Sequence, residues 1–175
     1  MQPIEFLKKV WSWNVKPGQY VFLSTKDGSR WRDHAIKYPD WKRVREIIDA
    51  GHEHTYFCPN PFTGPRRHLS VAAPGRMLWS DVDDGDTQRE PVPSVLWRTS
   101  PGRHSALWHL ERRYDVEELT KHNRNLTYLI GADRGGWDFT QVLRIPGTRN
   151  NKYKEKPIVK LIRFDESPMA PPQSL

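Results

Sequence analysis

Cysteine is nearly absent from this chain: Cys58 is the single one among 175 residues. That excludes an intramolecular disulfide and any cysteine-rich zinc ribbon, and it suits a reducing cytoplasm. There is no apolar run long enough to cross a bilayer, and the N-terminal Met-Gln-Pro-Ile-Glu-Phe-Leu-Lys-Lys stretch is short and amphipathic, so neither a membrane partner nor a signal peptide is expected. A Gly-x-x-x-x-Gly-Lys-Ser/Thr loop is missing, which excludes a P-loop motor that unwinds nucleic acid for itself. Internal repeats and a convincing interdomain linker are lacking too.

What is present is a basic, tryptophan-rich domain. Lys and Arg number 28 against 21 Asp and Glu, giving a net charge of +7, so a polyanion, with nucleic acid first, is the expected partner. The hydrophobic fraction of 36% and eight Trp residues are enough for a real core at this length. We expect one domain over residues 1–165 and a flexible Pro-rich tail over 166–175.

Against this basic background the ten residues Asp81 to Glu90 hold five carboxylates. The preceding Arg76-Met77-Leu78-Trp79-Ser80 reads as a strand, and because side chains alternate along a strand, Asp81 and Asp83 should project from one face at its end. Two adjacent carboxylates stay ionised only with positive charge between them. Hard oxygen ligands suit Mg²⁺ or Mn²⁺, the usual apparatus of phosphoryl transfer. An EF-hand calcium loop is excluded, since its sixth and twelfth positions hold Asp86 and Val92 instead of Gly and Glu.

Periodicity predicts helices over roughly 3–12, from a cap at Asp40 to Gly51, and from an Asp115/Glu118 capping box through Ile130. Strands are expected at Tyr20–Ser24, His54–Cys58, Ser94–Thr99, Ser105–Leu110 and Ile158–Phe164.

Three segments resemble motifs of a known family. Trp79-Ser80-Asp81-Val82-Asp83-Asp84, Thr99-Ser100-Pro101-Gly102-Arg103-His104-Ser105-Ala106-Leu107-Trp108, and Asp138-Phe139-Thr140-Gln141-Val142-Leu143-Arg144-Ile145-Pro146-Gly147-Thr148-Arg149-Asn150-Asn151-Lys152 are similar, in order, to motifs I, II and III of the archaeo-eukaryotic primase superfamily. The similarity is to the primase-polymerases of phages and plasmids. It implies an RRM-like α/β (α+β) catalytic core whose mixed or antiparallel sheet is flanked by helices. It further implies a DNA primase or polymerase that joins nucleotides on single-stranded DNA with two divalent ions, Mg²⁺ or Mn²⁺. Carried over, Asp81 and Asp83 are metal ligands and Asp138 the third carboxylate, with Asp133 its rival. Arg144 and Lys152 face the triphosphate or the template backbone.

Motif II departs from the pattern. The family shows Ser-Gly-x-Gly-x-His, with His five residues after Ser, whereas the fifth residue after Ser100 is Ser105 and His104 falls one short. One step on a strand reverses the face. Either a tighter turn still brings His104 to the nucleotide, or Ser105 takes the position while Ser100 and Arg103 supply further contacts. Template phosphates would follow Arg66, Arg67, Arg98, Arg112, Arg113, Arg149 and Lys154, and Trp31 and Trp137 are the tryptophans placed to stack unpaired bases. NTP or dNTP substrates, a single-stranded DNA template and a separate helicase or replication protein are the implied partners. The alternatives are a non-catalytic single-strand-binding module and, from His52-Glu53-His54 with Tyr56, a rolling-circle replication endonuclease.

Overall fold

A computed structural model describes residues 1–171. Element order is α1 (Pro3–Asn14), β1 (Tyr20–Asp27), β2 (Arg30–Lys37), α2 (Trp41–Asp49), β3 (His54–Phe57), β4 (Gly75–Val82), β5 (Val95–Ser100), β6 (Arg103–Tyr114), α3 (Val116–Ile130), β7 (Leu143–Arg144) and β8 (Lys160–Phe164). The strands form two four-stranded antiparallel sheets, ordered β2-β1-β3-β7 and β4-β6-β5-β8. This is the α+β architecture the sequence leads one to expect.

Local chemistry sets the element ends. Asp40 accepts the Arg43 N–H at 3.1 Å and Asp115 accepts that of Glu118 at 2.8 Å, so each carboxylate satisfies a donor that the first helical turn leaves free. Gly131 ends α3 at φ 69°, a left-handed conformation that favours glycine. The turn Ser100-Pro101-Gly102-Arg103 joins β5 to β6 with Gly102 at φ 73°; proline followed by a positive-φ glycine is the type II pattern.

The two sheets share one core. Phe6 of α1 packs edge-on against Phe57 of the first sheet and Trp97 of the second, with ring centroids 5.5 and 5.4 Å apart. Trp79 and Trp97 are buried on the same core, and their indole N–H groups donate to the Asp138 and Arg144 carbonyls. Those two bonds tie the irregular segment after α3 to the second sheet, bringing motif III beside motifs I and II.

The β1–β2 hairpin extends beyond the expected Tyr20–Ser24 strand. At the other end, the expected tail is docked over its first residues: Lys9 pairs with Glu166 at 2.7 Å, and Met169 exchanges backbone hydrogen bonds with His109 and Glu111. Packing therefore continues past residue 165; the rest of that tail, 172–175, lies outside the described residues.

A candidate active site at the junction of the two sheets

Asp81 leaves β4 where the core opens to solvent. It pairs directly with Ser105 of β6, whose hydroxyl donates to Asp81 Oδ1 at 3.0 Å. Just past the end of β4, Asp83 meets Arg103 at the start of β6, with Nη1 2.7 Å from Oδ2. Both carboxylates line one cavity of about 200 Å³, together with Tyr56, Thr99, Ser100, Arg103, Ser105, Arg144, Asn150, Lys152 and Tyr153. Two carboxylates thus face three side-chain cations across the same space.

Asp81 bears an electrostatic load. Burial raises its pKa above the ordinary carboxylate value, and the nearby charges of Asp83 and Asp133 raise it further; the Ser105 hydrogen bond and the Arg144 charge act in the opposite direction. A carboxylate held in this way gains from a cation. The donor set is all oxygen, which fits Mg²⁺ or Mn²⁺, an ion commonly held by one or two carboxylates with substrate phosphates completing its shell.

Of the two motif II candidates, Ser105 lines the cavity. His104 sits opposite Val82 on the reverse face of β6, half-buried, and does not line the cavity. Burial first, then the neighbouring Arg98 charge, hold its imidazole pKa low. The turn does not reverse the strand face, so His104 and Ser105 point to opposite sides of β6.

Asp138, the expected third carboxylate, lies outside that cavity lining. Its Oδ1 accepts from the Thr140 hydroxyl at 2.6 Å and the Thr140 N–H at 3.0 Å. A carboxylate that satisfies its own following turn is committed locally. Asp133 lies nearer the pair: its N–H donates to the Asp81 carbonyl at 3.2 Å, and it lines a neighbouring hollow with Asp83 and Asp84. Among the described residues, no group of three or more His, Cys, Asp or Glu side chains is arranged to hold a metal ion.

Arg144 and Lys152 both reach the cavity as expected. Arg144 stands over the Tyr56 ring at 5.0 Å, which β3–β7 pairing places directly opposite it. Asn150 donates to the Thr99 carbonyl at 2.8 Å and accepts the Lys152 N–H at 3.2 Å, so one buried amide both ties this loop to motif II and aims Lys152. Tyr153 shares a hydrogen bond with Ser100, the main reason its hydroxyl pKa is lowered. Tyr56, Asn150 and Tyr153 were not singled out as nucleotide contacts. Asn150 lay within a quoted motif, whereas Tyr153 carries no linear signal.

The proposed template arginines divide. Arg113 donates to the Asn14 and Pro74 carbonyls and Arg149 to that of Lys156, which are structural roles. Arg67 joins Asp33 to the Thr140 carbonyl beside the site. His52 and His54 do not converge: His52 pairs with Asp27 at 2.8 Å while His54 turns to Arg144 and Glu53. The endonuclease alternative loses its paired histidines.

The architecture is that of primase catalytic domains of known structure. The fold is shared by the primase-polymerase domain of cyanophage S-2L, at TM-score 0.71 and 15% identity over 97% of this chain and 92% of that one. It is also shared by the catalytic domain of primase RepB′ in complex with initiator DNA, at TM-score 0.66 and 16% identity over 96% and 88% of the two chains. A further RepB′ structure aligns at TM-score 0.67 and 16% identity, over 95% of this chain and 58% of that one. The chain belongs to the RepB DNA-primase N-terminal domain family, whose sequence profile matches residues 60–175. Comparison with curated protein sequences gives no match.

Proposed function

We propose that the protein is a primase-polymerase that joins nucleotides on a single-stranded DNA template during phage or plasmid replication, as one catalytic domain that comprises residues 1–165 and the docked start of the segment after them. The observation that carries this reading is the Asp81–Asp83 pair facing Arg103, Arg144 and Lys152 across a single cavity, on the fold of a primase family. A surface that merely binds phosphate backbone has no use for carboxylates at the point where phosphates must lie.

Asp81 and Asp83 would hold Mg²⁺ or Mn²⁺, with substrate phosphates completing the shell of a two-metal site; of the two candidates for a third acid, Asp138 lies in motif III and Asp133 borders a hollow shared with Asp83 and Asp84. Such ions polarise the reacting phosphoryl group and neutralise the charge that develops on it. The chain's own residues bind and orient the substrate. Arg144 and Lys152 carry fixed positive charge toward the triphosphate, where it offsets the negative charge of the departing pyrophosphate. Arg103 compensates Asp83 in the protein alone and is free to turn to a phosphate oxygen once a cation replaces it there. Ser105 holds Asp81 in its rotamer, while the Thr99 and Ser100 hydroxyls and the Tyr56 and Tyr153 rings line the remaining wall. Unwinding is left to a separate helicase or replication protein.

The test is synthesis on single-stranded DNA, de novo and from a primer, with NTPs or dNTPs and either ion. Asp81→Ala combined with Asp83→Ala should abolish product and leave DNA binding in place. Absence of product from the unaltered protein under every combination, with binding retained, would favour a non-catalytic binding module.

A further inference from the structure

Trp31 is 43% exposed, yet three oriented contacts fix it. Its ring stacks on Tyr56 with centroids 5.5 Å apart and planes at 25°. Its indole N–H donates to Asp33 Oδ1 at 3.0 Å, and the Arg67 guanidinium lies 6.0 Å from its centroid. Asp33 is itself held: burial opposes its ionisation, but hydrogen bonds from Ser24, Arg67 and Trp31 overcome this and keep its pKa low. A solvent-facing indole would ordinarily keep its rotamer freedom, so an exposed indole ordered by an ion pair and an aromatic neighbour is a preformed surface.

The strand register shows where that surface leads. Ser24 pairs with Asp33 and with Tyr56, and Tyr56 pairs with Arg144, so these side chains share one face of the first sheet; Trp31 and His54, two residues away on their strands, share it as well. The row Trp31, Tyr56, Arg144 therefore runs from the sheet edge into the cavity that holds Asp81 and Asp83. On the edge strand, Arg30 and Arg32 flank Trp31 and point to the alternate face, but at the open edge all three side chains border one hollow, where neither exposed arginine makes an ion pair among the described residues. An aromatic face with cations beside it at an open sheet edge matches the chemistry of an unpaired polynucleotide, a base stacking while the phosphates lie against the cations.

We propose that Trp31, supported by Tyr56, Asp33 and Arg67, is the stacking shelf for an unpaired base of the single-stranded DNA template, with Arg30 and Arg32 receiving its phosphates. This rests on the primase reading of the neighbouring cavity and extends it to the path of the template. A mononucleotide is the less suitable occupant, because Trp31 itself is absent from the cavity lining.

The experiment is fluorescence anisotropy of a labelled single-stranded oligothymidylate, titrated with the full chain and with Trp31→Leu and Trp31→Phe. Leucine keeps an apolar cover on Tyr56 without an aromatic face; phenylalanine keeps the face. The expected result is about tenfold weaker binding for Trp31→Leu, near-native binding for Trp31→Phe, and an unchanged dependence on salt, since tryptophan neutralises no phosphate. Native affinity in Trp31→Leu would overturn the proposal, as would an equal loss on duplex DNA. A loss confined to binding of a labelled nucleoside triphosphate would also overturn it, by assigning the shelf to the incoming base. Repeating the titration with Asp81→Ala and Asp83→Ala separates the two readings: a Trp31 effect that persists in a protein incapable of synthesis supports the shelf even if the catalytic reading fails.

Discussion

Asp81 sets the pH and cation response at the scale of single residues. Its folded pKa lies above that of a free aspartate, so between the unfolded and folded values the native state binds the additional proton. The penalty for keeping it ionised is thus fully present above the folded pKa and is relieved as pH falls through it. Without divalent ions, Asp81→Asn is expected to raise Tm near neutral pH by about 2–4 °C, the effect of a ~1 kcal/mol change at this chain length. Added Mg²⁺ or Mn²⁺ should stabilise the native protein and not the variant. A thermal melt with and without the ion checks both, and a lower metal-free Tm for Asp81→Asn would refute the electrostatic account.

The two residues rivalling for motif II give a second prediction. Ser105→Ala removes the hydroxyl that fixes Asp81, so primer extension should fall at least severalfold, whereas His104→Ala, on the opposite face, should stay within about twofold, the scale of surface substitutions. Equal losses in the two variants would reopen the register assignment.

The sequence makes Asp81, Asp83, Ser100, Arg103, Arg144 and Lys152 legible because each sits in a short linear motif whose strand or turn orients it locally. Asp138 is less simply placed, because the Thr140 hydroxyl two residues on donates to its Oδ1 and holds it to its own turn. Tyr56 escapes a linear search because it meets Arg144 only through pairing with a strand 88 positions further along the chain.

At the scale of elements, Asn123 on α3 joins the helix to the carboxylate strand. It accepts the Trp79 N–H at 2.9 Å and donates to the Trp137 carbonyl at 3.2 Å, fully buried. Its loss strands a backbone donor two residues before Asp81, which costs about 1–3 kcal/mol. Asn123→Ala should therefore lower the denaturant midpoint and, by loosening the end of β4, the cation affinity. Urea unfolding followed by the metal-dependent shift in Tm reads both effects; native stability would show that α3 does not anchor the site.

The same scale explains which elements were foreseeable. α2 and α3 carry apolar residues at helical spacing behind capping aspartates, so their limits lie within a residue of expectation. Strand β2 escapes a search for apolar alternation because Arg30 to Asp33 are all exposed and only His34 and Ile36 turn inward. Its punctuation was nonetheless present as Asp27-Gly28, with Gly28 at φ 59° in the hairpin turn. The two-residue β7 carries no signal of its own and exists because Tyr56 and Phe57 offer it an edge.

At the scale of the whole molecule, the excess positive charge and the carboxylate pair act as one device. The net charge of +7 attracts a polyanion, and in the proposed reading the Asp81–Asp83 pair would admit a cation where two anionic reactants approach. No helix among the described residues is long and apolar enough to cross a membrane. Two sheets on one shared core explain why motifs from three distant segments converge: Trp79 and Trp97 of the second sheet each donate to a carbonyl of the segment that carries motif III.

The most direct measurement of the central claim is pyrophosphate release from nucleoside triphosphates by the purified chain, with single-stranded DNA and a divalent ion each added and withheld. The account predicts release that requires both and disappears in Asp81→Ala with Asp83→Ala. Release that persists in that double variant, or that proceeds without a DNA template, would contradict it.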